Sequence, residues 1–127
     1  MKTNVDSGPL LAVQEAGAFA LDRADEFGDP IRRIYATRRA VALKMLSANR
    51  FEFFKPQASF YVWARVPNQM GSMNFCKLLI EKASIIVTPG IGFGEEGEHF
   101  FRLALTVDAP VIESALDKMS SVIQSIR

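Results

Sequence analysis

The chain has 127 residues, of which 49% are hydrophobic and 23% charged, so it can bury the core of one domain with an appendage and is too short for a multidomain machine. Fifteen Lys and Arg against fourteen Asp and Glu leave a formal charge of +1, and no net field draws the chain to nucleic acid or to an anionic membrane. One cysteine, Cys76, excludes an intrachain disulfide framework and a thiolate zinc site, and one histidine, His99, leaves any metal site short of ligands and any Ser/His or Cys/His pair dependent on that residue.

No run approaches the roughly 20 apolar residues of a membrane helix, and Met1 to Asp6 lacks the apolar centre of a signal peptide. The expectation is a cytoplasmic protein without a membrane partner. Asp6-Ser7-Gly8-Pro9 reads as a helix start, with Asp6 or Ser7 capping free N–H groups and Pro9 tolerated in the first turn. Leu10, Val13, Gly17 and Leu21 then recur at helical spacing, predicting a helix from about Ser7 to Ala24. Gly17 in its middle costs about 1 kcal/mol relative to alanine, which a tight contact would explain. Asp25 to Pro30 breaks the pattern, and Asp29-Pro30 predicts a second helix ending near Asn49 as a left-handed cap.

That second helix carries an apolar stripe of Ile31, Ile34, Tyr35, Val41, Met45 and Leu46. Arg32, Arg33, Arg38, Arg39 and Lys44 lie largely elsewhere on the turn, and with a net charge of +1 they read as a solvated face rather than a nucleic-acid surface. After Asn49 the period changes. Arg50–Phe54 and Ser59–Val66 read as antiparallel strands, Met73–Lys82 as a short helix with Phe75, Leu78 and Leu79 inward, and Ser84–Thr88 as a short buried strand. A strand from Phe100 to Val107 follows, then a helix from Ala109 to Ile126 with Val111, Ile112, Leu116, Met119 and Ile123 on one side. The whole predicts an α+β fold: two N-terminal helices, then a β-β-α-β-β-α unit with helices packed on an antiparallel or mixed sheet.

Pro89-Gly90-Ile91-Gly92-Phe93-Gly94 allows a sharp turn and a close approach of the backbone. It is not a dinucleotide fingerprint, because a strand rather than a helix follows it. Arg102 stands in Phe100-Phe101-Arg102-Leu103-Ala104-Leu105, where every neighbour is apolar, and its planar fork of donors needs an anionic partner. On the residues alone, an internal pair with Glu95, Glu96 or Glu98 and a ligand carboxylate both remain open. His99 beside this strand has no acid at telling spacing, and Cys76 between Phe75 and Leu78 reads as a small core hydrophobe. Alternation sets Phe60 and Val62 on one face of their strand and Tyr61 and Trp63 on the other, as a candidate stacking platform.

These motifs in this order, from Thr3-Asn4-Val5-Asp6-Ser7-Gly8 through Gln14-Glu15-Ala16, Pro56-Gln57-Ala58-Ser59-Phe60-Tyr61-Val62-Trp63 and Pro89–Gly94 to Phe101-Arg102-Leu103-Ala104-Leu105, resemble the C-terminal part of class I/II aminotransferases. The flavour is that of the aspartate and LL-diaminopimelate aminotransferase-like branch of these fold-type I pyridoxal-phosphate enzymes. The resemblance implies transfer of an amino group between an amino acid and a 2-keto acid, in amino acid biosynthesis. It implies that Arg102 holds the substrate α-carboxylate, and that Asn4, Asp6 and Ser7 approach a partner subunit's active site in a homodimer.

The family's Schiff-base lysine, the aspartate on the pyridine nitrogen and the phosphate cradle have no counterpart among the 127 residues; Lys2 and Lys55 stand in other contexts. The expectation is therefore a chain with no catalytic and no cofactor-binding residue of its own, inactive alone and not binding pyridoxal 5'-phosphate by itself. Residues 1–27 are expected to be a remnant of the large cofactor domain and 28–127 the small domain, with 29–49 as connecting helix. Such a chain would be a truncated gene product, an expressed domain or one piece of a split enzyme, self-associating through uncovered apolar faces. The alternative is a non-catalytic binding or interaction domain that retains the small-domain fold.

Overall fold

A computed structural model describes residues 8–126. Among them are helices α1 (Leu11–Asp22), α2 (Ala24–Ala48), α3 (Ser72–Ala83) and α4 (Ala109–Ser125), with strands β1 (Phe53–Phe54), β2 (Tyr61–Arg65), β3 (Thr88–Pro89) and β4 (Phe100–Ala104). The chain divides into two units, Met1–Ile34 and Tyr35–Arg127.

In the second unit the four strands form one sheet in the order β1-β2-β4-β3, and every neighbouring pair is antiparallel. The α+β expectation holds, with the antiparallel option realised. The period-two alternation sorts the sheet into two faces. Val62 and Ala64 of β2 and Phe101 and Leu103 of β4 point into the core, where Ala42 and Leu46 of α2, Phe75 and Leu79 of α3, and Ile112, Leu116, Met119 and Ile123 of α4 join them. Phe101 is the hub, with ring centroids 5.0 Å from Phe75 and 6.0 Å from Phe51. Tyr61, Trp63, Phe100 and Arg102 occupy the opposite face and are half-buried.

Several local expectations are corrected. In the first unit the break falls at Arg23, not across Asp25–Pro30, and α2 runs through Pro30. Proline removes one helical hydrogen bond, but here the residues around it are exposed, so the freed Glu26 carbonyl lies on a solvated turn, while Arg32 binds Asp25 and Asp29 along the same stretch. The capping residues Asp6 and Ser7 lie outside the described residues, and the N-cap position of α1 is Leu10. Gly17 has no neighbour within 4 Å of where a Cβ would stand, so no tight contact accounts for it.

In the second unit the left-handed residue after α2 is Arg50 (φ 58°), one place beyond Asn49, whose amide instead donates to the Met45 carbonyl at 3.0 Å. Of the segment Ser84–Thr88 only Thr88 joins the sheet, because Ser84 takes the left-handed cap of α3 and Ile86 is 84% exposed. Val111 is exposed and Val122 buried, since α4 turns Ile112, Leu116, Met119 and Ile123 inward and Val111 sits about 100° off that line. Arg38 leaves the solvated set: its guanidinium binds the Asp108 carboxylate and donates to the Leu105 carbonyl at 3.2 Å, tying α2 to the turn that enters α4.

Candidate functional site around Arg102

Arg102 occupies the centre of β4, opposite Trp63 of β2 on one side and Thr88 of β3 on the other. This places it on the outer sheet face, away from the helix-packed core. Its guanidinium carbon lies 4.0 Å from the centroid of the Tyr61 ring and 4.6 Å from that of Phe93. Two aromatic faces thus flank a planar cation, a contact that stabilises it and limits the orientations of its fork. Trp63 completes the surround, edge-on to Phe93 at 5.5 Å and stacked on Phe100 at 5.7 Å.

None of Glu95, Glu96 and Glu98 is ion-paired with Arg102 in this structure. Among the described residues Arg102 forms no ion pair, and its Nε is buried without a hydrogen-bond partner. Glu95 and Glu96 are exposed, and the Glu98 carboxylate accepts a hydrogen bond from the Ser72 hydroxyl at 3.2 Å. A cation on an apolar face without an internal carboxylate is suited to an external one, because a bidentate carboxylate satisfies donors that the protein leaves bare.

The loop from Gly90 to Glu98 supplies Phe93. Gly90 and Gly97 pass each other so closely that a Cβ on either would run into the other's backbone carbonyl. Gly94 at φ 122° takes a conformation that side chains rarely adopt. The loop is therefore no mere spacer: its backbone brings an aromatic ring from outside the sheet to the arginine. Tyr61 and Trp63 were legible from alternation, whereas Phe93 and Ser72 were not singled out. The clue to Ser72 in the sequence is a small polar residue at the start of an amphipathic helix.

The other candidates do not converge on Arg102. Cys76 is buried on α3, and burial raises its thiol pKa above the ordinary range, in keeping with a core role. His99 is exposed and lines a separate cavity of about 810 Å³ with Arg50, Arg65, Asn49 and Ser120. Within it Arg65 is already paired with Glu52 at 2.9 Å. Asn4, Asp6 and Ser7 lie outside the described residues. No described helix is long and apolar enough to cross a membrane.

Residues 7–119 match the family model for aminotransferase class I and II. The chain belongs to the class I and II aminotransferases. It is 43% identical over 118 residues to an LL-diaminopimelate aminotransferase of Natranaerobius thermophilus, covering 93% of this chain and 31% of that protein. It is 38% identical over 126 residues to the LL-diaminopimelate aminotransferase of Moorella thermoacetica, covering 99% of this chain and 32% of that protein. Among solved structures, an aminotransferase from Staphylococcus aureus superposes with a TM-score of 0.86 at 29% identity over 96% of this chain and 32% of its own. The chain thus spans about a third of the length of the relatives it matches.

Aminotransferases of this family depend in general on pyridoxal phosphate. The described residues do not fit that cofactor. All five described lysines, Lys44, Lys55, Lys77, Lys82 and Lys118, are exposed, and none is among the residues that contact Arg102. An amine that must stay unprotonated to form a covalent bond needs desolvation or a neighbouring cation, and no such lysine borders the sheet face.

Proposed function

We propose that this chain supplies the carboxylate-binding face of an aminotransferase, with Arg102 holding the α-carboxylate of an amino acid or 2-keto acid. The observation that carries the reading is the guanidinium held between Tyr61 and Phe93 with no internal carboxylate among the described residues. Its part in the reaction is orientation: one fixed carboxylate leaves the Cα bonds to be aligned by whatever the remaining residues of a complete enzyme provide. Pyridoxal phosphate would supply the electron sink of the chemistry.

The names of the relatives point to LL-diaminopimelate as the substrate of the complete enzyme, which we assign to amino acid biosynthesis in the cytoplasm. Within that enzyme we assign 1–27 to the end of the large domain, 29–49 to the connecting helix and the rest of 28–127 to the small domain. The 127 residues alone neither bind the cofactor nor transaminate. The apolar residues exposed along α1 and the start of α2, among them Leu11, Phe19, Leu21 and Ile31, are covered in the assembled enzyme by its remaining residues or by a second subunit.

Two titrations test this. Trp63, the single tryptophan and the cross-strand neighbour of Arg102, reports on ligand through its fluorescence. 2-Oxoglutarate is expected to change the emission of the wild type saturably, and Arg102→Ala is expected to lose about tenfold or more in affinity, the order of a charge-assisted hydrogen bond. Equal responses of the two proteins remove Arg102 from the role. Equimolar pyridoxal phosphate is expected to give no bound-cofactor absorbance band; a stoichiometric band abolished by Lys2→Ala or Lys55→Ala contradicts the assignment.

A further inference from the structure

Ser72 is fully buried, yet its side chain is polar. Its hydroxyl donates to Oε2 of Glu98 at 3.2 Å and accepts from the backbone N–H of Ile91 at 3.3 Å, while its own N–H donates to the Glu98 carbonyl at 2.8 Å. One residue at the start of α3 thereby grips both ends of the loop that carries Phe93. Inside the loop the bonds are local: Gly94 N–H to the Ile91 carbonyl at 3.1 Å and Gly97 N–H to the Gly94 carbonyl at 2.9 Å. Such short 3₁₀ turns are weakly self-supporting, so their placement depends on what anchors their ends.

We infer that Ser72 is a positioning residue for the Arg102 site: through Ile91 and Glu98 it anchors the loop that seats Phe93 against the guanidinium. The inference rests on the reading of Arg102 as a carboxylate grip, and it adds a residue that touches neither ligand nor arginine. A buried hydrogen-bonding group acts here through geometry, as supporting residues do around preorganised sites.

The experiment uses the 127-residue chain, with two readouts. The near-ultraviolet circular dichroism of Trp63 reports the edge-on contact with Phe93, and 2-oxoglutarate titrated against Trp63 fluorescence reports the site. Ser72→Ala is expected to change the Trp63 dichroism and weaken 2-oxoglutarate binding about five- to tenfold, the usual consequence of losing a buried hydrogen bond. Ser72→Thr, which keeps the hydroxyl, is expected to restore both. A folded Ser72→Ala protein with wild-type dichroism and affinity overturns the inference and makes the serine merely structural. Should Ser72→Ala not fold, Glu98→Ala removes the acceptor from a half-exposed position and is read in the same way. If the wild type itself fails to respond to 2-oxoglutarate, the Arg102 reading falls, while the seating of Phe93 is still decided by the dichroism.

Discussion

At the scale of single residues, Arg102 is distinguished by a buried Nε with no hydrogen-bond partner among the described residues. Its neighbours in β4 alternate between core and outer face, and the outer position puts the guanidinium between aromatic rings instead of beside a carboxylate. Arg102→Lys keeps the charge but replaces a flat fork by a point donor that stacks less well. It is expected to retain only about a tenth of the wild-type affinity for 2-oxoglutarate, an effect of the order of one charge-assisted hydrogen bond, measured by Trp63 fluorescence. Cys76 gives a second test. Burial favours the neutral thiol, so the folded pKa is raised above the unfolded one. The stability contributed by that preference is present below the ordinary thiol pKa of about 8.5 and lost as pH rises through the folded value. Alkylation of Cys76 by iodoacetamide at neutral pH is expected to be slow in the native protein and fast in urea. The position of Arg102 was legible because an arginine among apolar residues in a strand is rare and has few explanations. Its setting was not, because Phe93 reaches it from a loop that is anchored by a serine 26 residues before Glu98 in the chain.

At the scale of elements, hydrophobic periodicity located all four helices and the strands that enter the core, and it erred where local chemistry overrode the pattern. Proline and glycine at 28–30 read as a stop, yet the helix passes through them where its backbone is exposed. The segment after α3 is apolar enough for a strand, but the left-handed Ser84 redirects it and exposes Ile86. Two predictions belong here. Phe101→Ala removes the ring that joins Phe75 and Phe51 in the core and is expected to cost about 3–5 kcal/mol in urea unfolding. α1 has no buried residue, with Leu11 66% and Leu21 77% exposed. Apolar surface of this kind associates, so light scattering is expected to show mass rising with concentration, and Leu11→Ser with Leu21→Ser to lower it. A monodisperse monomer at all concentrations would count against that element's role.

For the whole molecule, the family is set by a match over residues 7–119 and by relatives about three times its length. An aminotransferase needs a carboxylate grip, an amine that holds the cofactor, and a cradle for its phosphate; among the described residues only the first has a candidate. Under the proposed function this chain orients substrate through Arg102 and the chemistry falls to other residues of a complete enzyme. The most direct test of that claim is a crystal structure of the chain grown with 2-oxoglutarate. One ligand carboxylate is expected in hydrogen-bonding contact with the Arg102 guanidinium, bordered by Tyr61 and Phe93, with Glu98 still on Ser72. Arg102 paired with Glu95, Glu96 or Glu98 and the ligand bound elsewhere would contradict it.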